Sequence, residues 1–190
     1  REVPIDQAVV PRPGHYRAGL VQDESALRSA LGWGRTHART AAQTLAAYYE
    51  TTRRTGKHVQ RVRVQTRWSR LALHAAKRMR SSLEPDPATV ERILNGPPLT
   101  ITLVMRGFHK GLVSKLDMVL VQGSHRVYAP TLERRDPRPI KEDGRIVAYE
   151  GELKGDFPPD ALNPRKSATL EVRGENDSYF YVDSPLWRFK

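Results

Sequence analysis

Apolar and small residues recur at helical spacing through the first half of the chain. They stand three or four positions apart from Asp23 onward, and the same spacing resumes after residues 55–57. The first stripe is Leu27, Leu31, Gly34, Ala38, Ala41, Leu45 and Tyr48, and the second is Val64, Trp68, Leu71, Ala75 and Met79. This spacing predicts two helices of about 25 residues each. The short connection between them favours an antiparallel helical hairpin.

Residues with special backbone preferences mark the ends of these helices. Asp23 is a suitable N-cap for the first helix. Asp86 and Pro87 supply an N-cap and a first-turn proline for a short third helix, which the Asn-Gly-Pro sequence at 95–97 closes. Gly32 and Gly34, on either side of Trp33, each weaken a helix by up to about 1 kcal/mol relative to alanine unless close packing requires them. Their presence therefore predicts that this helix approaches a neighbour closely.

After Pro98 the apolar period changes to two. Alternating apolar residues over 99–105 and 116–121 predict half-buried strands, and residues 167–173 and 178–183 predict two more. The pairs Gly123-Ser124 and Asp143-Gly144 predict two-residue hairpin turns. The proline-rich stretch 133–139 predicts an extended connector between strands.

Together these patterns predict an α+β protein, in which an N-terminal antiparallel helical hairpin packs on a C-terminal antiparallel β-sandwich or half-barrel. Residues 1–22, with their prolines and glycines, are expected to form an extended arm. Residues 23–97 should contain the hairpin and the short third helix. Residues 98–190 should form the sandwich.

Positive charge is concentrated in the first half. The 190 residues carry a formal net charge of +11. Residues 1–97 hold 17 basic and 8 acidic residues, a net charge of +9, whereas residues 98–190 hold 15 and 13, a net charge of +2. Eight of the 32 basic residues are lysine. The arginine excess fits recognition of phosphate or carboxylate groups, and it fits a GC-rich genome equally well.

Five basic residues form a row along the predicted second helix, at spacings of four and three. They are Arg63, Arg67, Arg70, His74 and Lys77, and no acidic residue lies between Thr51 and Leu83. Such a row is a candidate site for an anionic partner. Three interpretations stay open: a solvated face paired with carboxylates of the second half such as Glu133, a nucleic-acid site, or a surface for a membrane or an acidic protein.

The motifs of enzymes and metal proteins are missing from the sequence. The chain has no cysteine, its six histidines form no HExxH pattern, and it contains no P-loop, GxGxxG or GxSxG motif. We therefore predict no catalytic residue, no metal site, no cofactor and no small-molecule substrate. No apolar run approaches the roughly 20 residues of a membrane-spanning helix.

Aromatic residues mark two further candidate surfaces. Trp187 and Phe189 stand two positions apart near the C-terminus, where they fit either a clasp over a sheet edge or the hairpin, or a hook for a partner. Phe108, beside His109 and Lys110, predicts a polar hairpin loop with one anchoring aromatic ring. The alternative for this loop is a stacking site for single-stranded nucleic acid.

The second half resembles a family of β-sandwich domains. The segments that carry the resemblance are Leu99-Thr-Ile-Thr-Leu, Ser114-Lys-Leu-Asp-Met-Val-Leu-Val, Tyr128-Ala-Pro, Phe157-Pro-Pro, Ala168-Thr-Leu-Glu-Val and Tyr179-Phe-Tyr-Val. In this order they are similar to the immunoglobulin-like domains of uncharacterised bacterial exported proteins and lipoproteins. The resemblance implies an extracytoplasmic domain that scaffolds or binds rather than catalyses.

The sequence thus favours a non-enzymatic bacterial envelope protein, located in the periplasm or envelope, that serves as a structural or protein-interaction module. Its expected partner is a protein at the cell envelope. Membrane contact is expected only through the basic face or through an anchor removed before Arg1. The alternative is a cytoplasmic or organellar protein that binds nucleic acid through the basic row.

Overall fold

The computed structural model describes residues 23–51, 58–158, 168–174 and 180–182. These residues form a mixed α and β fold with four helices and two antiparallel sheets. The predicted arm over residues 1–22 and the aromatic residues Trp187 and Phe189 lie outside the described residues.

In the first half two helices, two strands and two further helices follow one another, and the second half consists of strands. The helices are α1 Glu24–Thr36, α2 Ala41–Tyr49, α3 Arg67–Arg80 and α4 Pro87–Asn95. The strands are β1 Glu50–Thr51, β2 Val59–Thr66, β3 Leu99–Gly107, β4 Asp117–Gln122, β5 His125–Tyr128, β6 Thr131–Glu142, β7 Arg145–Phe157, β8 Thr169–Arg173 and β9 Phe180–Val182.

The first sheet joins the two halves of the chain. Its strand order is β1-β2-β3-β7-β6, and the second sheet has the order β5-β4-β8-β9. Strand β2 pairs with β3 from Thr66 opposite Leu99 to Val59 opposite Met105. The N-terminal half therefore contributes a strand next to the centre of a sheet that the C-terminal half completes.

The predicted second helix is wrong for residues 59–66, which form strand β2. Val62, Val64 and Thr66 are buried, while Arg63 and Gln65 between them are half-buried, so the burial follows a period of two. Branching at Cβ favours an extended backbone at valine and threonine. A capping box then begins α3, because the Ser69 N–H donates to Thr66 Oγ1 at 3.3 Å and the Thr66 N–H donates to Ser69 Oγ at 3.0 Å.

The predicted first helix is two helices, because α1 ends at Thr36. The Thr36 hydroxyl donates to the carbonyl oxygens of Gly32 and Trp33 at 3.3 and 3.0 Å, and such back-bonding bends helices. The His37 ring stacks on Trp33 with 4.3 Å between centroids, and the chain turns before α2 begins. The N-cap prediction is confirmed, since the Asp23 carboxylate accepts the Ala26 N–H at 2.7 Å.

Gly34 brings α1 and α3 together, which confirms the predicted close approach of this helix to a neighbour. A Cβ atom on Gly34 would lie 2.1 Å from the Ala72 carbonyl oxygen and 2.8 Å from the Ala75 Cβ. Beside this contact the rings of Trp33 and Trp68 pack with 5.5 Å between their centroids. The close approach of the two helices therefore requires a residue without a side chain at this position.

The predicted hairpin turns are confirmed, and the predicted connector is corrected. Asp143 and Gly144 join β6 to β7 with φ angles of 48° and 77°, as a type I′ turn requires. Residues 133–139 lie within β6, paired with β7, instead of connecting strands. Their prolines are tolerated because β6 is the outer strand of its sheet.

Residues of three helices and both sheets form one buried core. At Gly155 of β7 an added Cβ would lie 2.9 Å from Met118 Sδ of β4, so the two sheets come into contact there. The largest fully buried side chains are Trp68, Phe157, Leu71, Leu99, Ile101, Leu103, Met105, Met118, Leu120, Leu153 and Leu170.

Candidate functional site

The basic row predicted from the sequence does not lie on one helix. Arg63 is part of β2, while Arg67, Arg70, His74 and Lys77 are part of α3. Most of these side chains bind other parts of the same chain. Their contacts decide how much of the positive charge is available to a partner.

Arg63 pairs with a carboxylate on the neighbouring strand. Its Nη2 lies 3.3 Å from Glu50 Oε1, and Arg61 Nε lies 3.1 Å from the same oxygen. The Glu50 side chain is 13% exposed, so two arginines from β2 enclose one carboxylate from β1. Arg63 therefore belongs to an ion cluster at the edge of the first sheet.

Arg67 and Arg70 bind carbonyl groups at the C-terminal end of α4. Arg67 Nη2 donates to Gly96 O at 2.9 Å, and Arg70 Nη2 donates to Pro97 O. Carbonyls at a helix end have no partner within the helix, so these guanidinium groups supply the missing donors. Burial lowers the pKa of Arg70, an effect that the nearby Asp156 carboxylate opposes.

His74 and Arg78 hold the segment at the other end of α4. His74 Nε2 accepts the Asp86 N–H at 3.1 Å, and Arg78 Nε donates to Glu84 O at 2.9 Å. The Glu84 carboxylate pairs with Arg35 of α1. Four residues on one face of α3 thus form hydrogen bonds near both ends of α4. We call them the α3 clamp: Arg67, Arg70, His74 and Arg78.

Among the described residues, the interpretation in which the row pairs with carboxylates of the second half applies only at Arg70, which lies near Asp156. Glu133 instead accepts a hydrogen bond from Lys154 Nζ at 2.9 Å across β6 and β7. That hydrogen bond and the ammonium charge lower the pKa of Glu133. Lys77 of the row is exposed on α3. Most members of the row therefore contact other residues of the same chain, and Lys77 is the most exposed of the five.

A second ion cluster lies on the second sheet. The Glu171 Oε2 atom accepts hydrogen bonds from Arg126 Nη1 at 2.9 Å and from Arg173 Nη2 at 2.8 Å. Burial alone would raise the pKa of Glu171, but the hydrogen bonds and the two positive charges outweigh it and lower the pKa. Here too the arginines neutralise a carboxylate of the same chain.

The hairpin of β6 and β7 extends beyond the end of β3, the strand that pairs with β7. Strand β3 pairs with β7 as far as Gly107 opposite Tyr149, whereas β6 pairs with β7 as far as Glu142 opposite Arg145. Near the turn Ile146 is 51% exposed and Val147 is 37% exposed. Phe108, which directly follows the last pair of β3, is 76% exposed, so it is not the anchoring ring that the sequence predicts.

We call residues 141–147 together with Phe108 the ribbon tip. Its apolar side chains lie beside two basic residues, Lys141 and Arg145, and two acidic ones, Glu142 and Asp143. The sequence predicted the turn but not the exposed apolar surface beside it. Two consecutive β-branched residues that follow a tight Asp-Gly turn indicate such a surface, because the end of a hairpin has few neighbours to pack against.

A small cleft lies between α2, β2 and α3. Its volume is about 190 Å³, and Ala42, Leu45, Val64 and Leu73 line it together with the Glu50–Arg63 pair. Pockets for organic ligands usually measure about 300–1,000 Å³. The cleft is therefore smaller than a typical ligand site.

Within the described residues, no group of three or more histidine, aspartate or glutamate side chains is arranged to hold a metal ion. No helix in this part of the chain has the length and apolar character needed to cross a membrane. Comparison with protein-family models, with curated proteins and with solved structures gives no match for this chain. The resemblance to immunoglobulin-like domains stays a prediction.

Proposed function

We propose that this chain is a non-enzymatic interaction module that binds a protein partner through the ribbon tip. The observation that carries the proposal is the exposure of Ile146 and Val147 at one end of a projecting hairpin, together with that of Phe108, which follows the neighbouring strand β3. Large apolar side chains exposed on a surface are typical of binding sites. The paired strands of the hairpin hold Ile146 and Val147 in place, which reduces the conformational entropy that binding has to remove.

The charges of the ribbon tip favour a protein over a bilayer. Two acidic and two basic residues, all exposed, precede Ile146 and Val147 in the hairpin, and Asp143 lies in the turn itself. An apolar centre with a polar rim of mixed charge is typical of protein interfaces. Insertion into a membrane would bring these charges into a medium where each costs several kcal/mol.

The finer architecture and the location are part of the same proposal. We propose that the two sheets form an immunoglobulin-like sandwich against which α1 and α3 pack, and that the protein acts in the bacterial periplasm or envelope. The contact between Gly155 and Met118 supports the sandwich. The resemblance of residues 99–182 to domains of exported proteins supports the location, which cell fractionation with N-terminal sequencing of the mature protein would test.

Nucleic-acid binding through the basic row ranks second. A phosphate would have to share the guanidinium groups of Arg67 and Arg70 with the carbonyl oxygens of Gly96 and Pro97, or displace those contacts, and the same holds for Arg63 and Glu50. Leaving a carbonyl oxygen without its donor costs free energy, whereas Glu50 would keep its contact with Arg61. The row is therefore a weaker candidate than the exposed ribbon tip.

Binding measurements with matched variants test the proposal. The partner is first identified by co-purification with the wild-type chain and is then purified for titration calorimetry. Replacing Phe108, Ile146 and Val147 by serine should raise the Kd at least tenfold, while Leu83→Ser, another exposed apolar position, should leave it unchanged. An unchanged Kd for the triple variant would refute the proposal, and so would wild-type binding to lipid vesicles that the triple variant loses.

A further inference from the structure

Helix α4 packs against the fold through a half-buried apolar face and is hydrogen-bonded to α3 near both of its ends. Its residues are all described, and none of them is fully buried. Val90, Ile93 and Leu94 are half-buried against the core. The α3 clamp supplies the directional contacts, with Arg67 and Arg70 at the C-terminal end and His74 and Arg78 at the N-terminal end.

His74 differs from the other members of the clamp in its chemistry. Arginine keeps its charge at every physiological pH, whereas an imidazole changes charge between about pH 5 and 8. The hydrogen bond at 3.1 Å requires His74 Nε2 to be an acceptor, because the Asp86 N–H is the donor. An acceptor nitrogen is present in the neutral ring, with the proton on Nδ1, and is absent from the charged ring.

The surroundings of His74 disfavour a positive charge on it. Lys77 and Arg78 face it from α3, and Arg92 faces it from α4. Asp86 is the N-cap of α4, so the N-terminus of this helix, which carries a positive partial charge, lies next to His74. The Asp86 carboxylate acts in the opposite direction, although hydrogen bonds from Thr89 already occupy its Oδ2 atom.

We propose that His74 is a pH-sensitive latch, which holds the N-terminal end of α4 against α3 while the imidazole is neutral and releases it on protonation. The charged ring presents an N–H to the Asp86 N–H, so two donors face each other. Release loosens the first turn of α4 and exposes Val90, which packs against the core in the closed state.

The direction of the pH effect follows from the closed state. Burial, reinforced by the neighbouring cations, lowers the pKa of His74 below its usual value, although Asp86 opposes this. In the open state the ring regains its ordinary pKa of about 6.5. The latch is therefore at full strength above that pH and weakens as the pH falls towards the lowered pKa. One proton changes the opening equilibrium by at most about tenfold per pH unit.

Thiol labelling measures the opening directly, since the chain has no cysteine of its own. Val90→Cys reports further exposure of the half-buried face of α4, and Glu91→Cys, at an exposed position next to it, corrects for the pH dependence of the reagent. A pyridyl disulfide reagent is suitable across this pH range. Between pH 7.5 and 5.5 the ratio of the two labelling rates should rise severalfold, up to about tenfold.

Two substitutions at His74 separate the latch from general acid destabilisation. In His74→Gln the amide oxygen accepts the Asp86 N–H at either pH, so the labelling ratio should stay low and constant. In His74→Arg the charge is permanent, so the ratio should be high already at pH 7.5. A wild-type ratio that does not change with pH would overturn the proposal. The same pH dependence in His74→Gln would overturn it as well, even if His74→Arg failed to fold.

Discussion

Replacing Trp68 by alanine tests whether α3 forms part of the core. The Trp68 side chain is 1% exposed and packs against the Trp33 ring, with 5.5 Å between centroids. Truncation removes the whole indole ring system and leaves a cavity that close-packed neighbours fill only in part. Substitutions of this type cost about 3–5 kcal/mol of unfolding free energy. At a urea m-value of about 2–3 kcal/mol/M the midpoint should fall by roughly 1–2.5 M.

Urea unfolding followed by circular dichroism at 222 nm is the appropriate assay, because fluorescence would change with the loss of a tryptophan. Leu83→Ala is a matched control, since Leu83 is 46% exposed and its truncation should cost less than about 0.5 kcal/mol. A loss below about 1 kcal/mol in Trp68→Ala, without a change in m-value, would show that the packing between α1 and α3 contributes little to stability.

Three other perturbations test separate parts of the structure. Gly34→Ala should lower the unfolding temperature, because the added Cβ collides with the backbone oxygen of Ala72. The collision costs about 1–3 kcal/mol beyond the roughly 1 kcal/mol that alanine gains in helix propensity. Gly111→Ala is the control, since its Cβ would meet only a serine hydroxyl, and equal effects of the two substitutions would contradict the contact at Gly34. Titration of duplex DNA at several salt concentrations should give weak, unselective binding with a Kd on the order of 10⁻⁴–10⁻⁶ M, whereas nanomolar selective binding would restore the nucleic-acid hypothesis. Deletion of residues 185–190 should lower the unfolding temperature of a protein that stays monomeric, if Trp187 and Phe189 form a clasp; unchanged stability with loss of partner binding would indicate a hook, and no change in either would exclude both roles.

The sequence predicted the elements that local chemistry specifies. The Asp23 and Asp86 caps, the close approach at Gly34 and the Asp143-Gly144 turn each depend on one or two side chains with a strong conformational preference. Such signals are contained within a few residues. They hold in the folded chain because tertiary contacts reinforce them.

Strand β2 shows where this reasoning failed. Val64 and Trp68 are four residues apart and fit a helical stripe, yet they belong to different elements whose buried faces meet in the same core. The alternation of valine with polar residues over 59–66 and the Thr66–Ser69 cap were both visible in the sequence. What the sequence does not reveal is that β3 offers a pairing edge at this place, because that partner lies more than 30 positions further along the chain.

The same dependence on distant segments explains why counting charges overestimated how available the basic row is to a partner. A side chain on a helix surface faces water only if no other segment of the chain needs it. The segment around α4 ends in the carbonyl groups of Gly96 and Pro97, and the guanidinium groups of Arg67 and Arg70 supply their donors. A guanidinium that binds a carbonyl keeps its charge, but some of its N–H donors are already in use. At Arg70 the group is also partly removed from water. A phosphate would have to share the guanidinium groups with these contacts or displace them. The sum of charges along a helix therefore overstates the attraction that the helix offers to a partner whenever those charges hold the end of another helix in place.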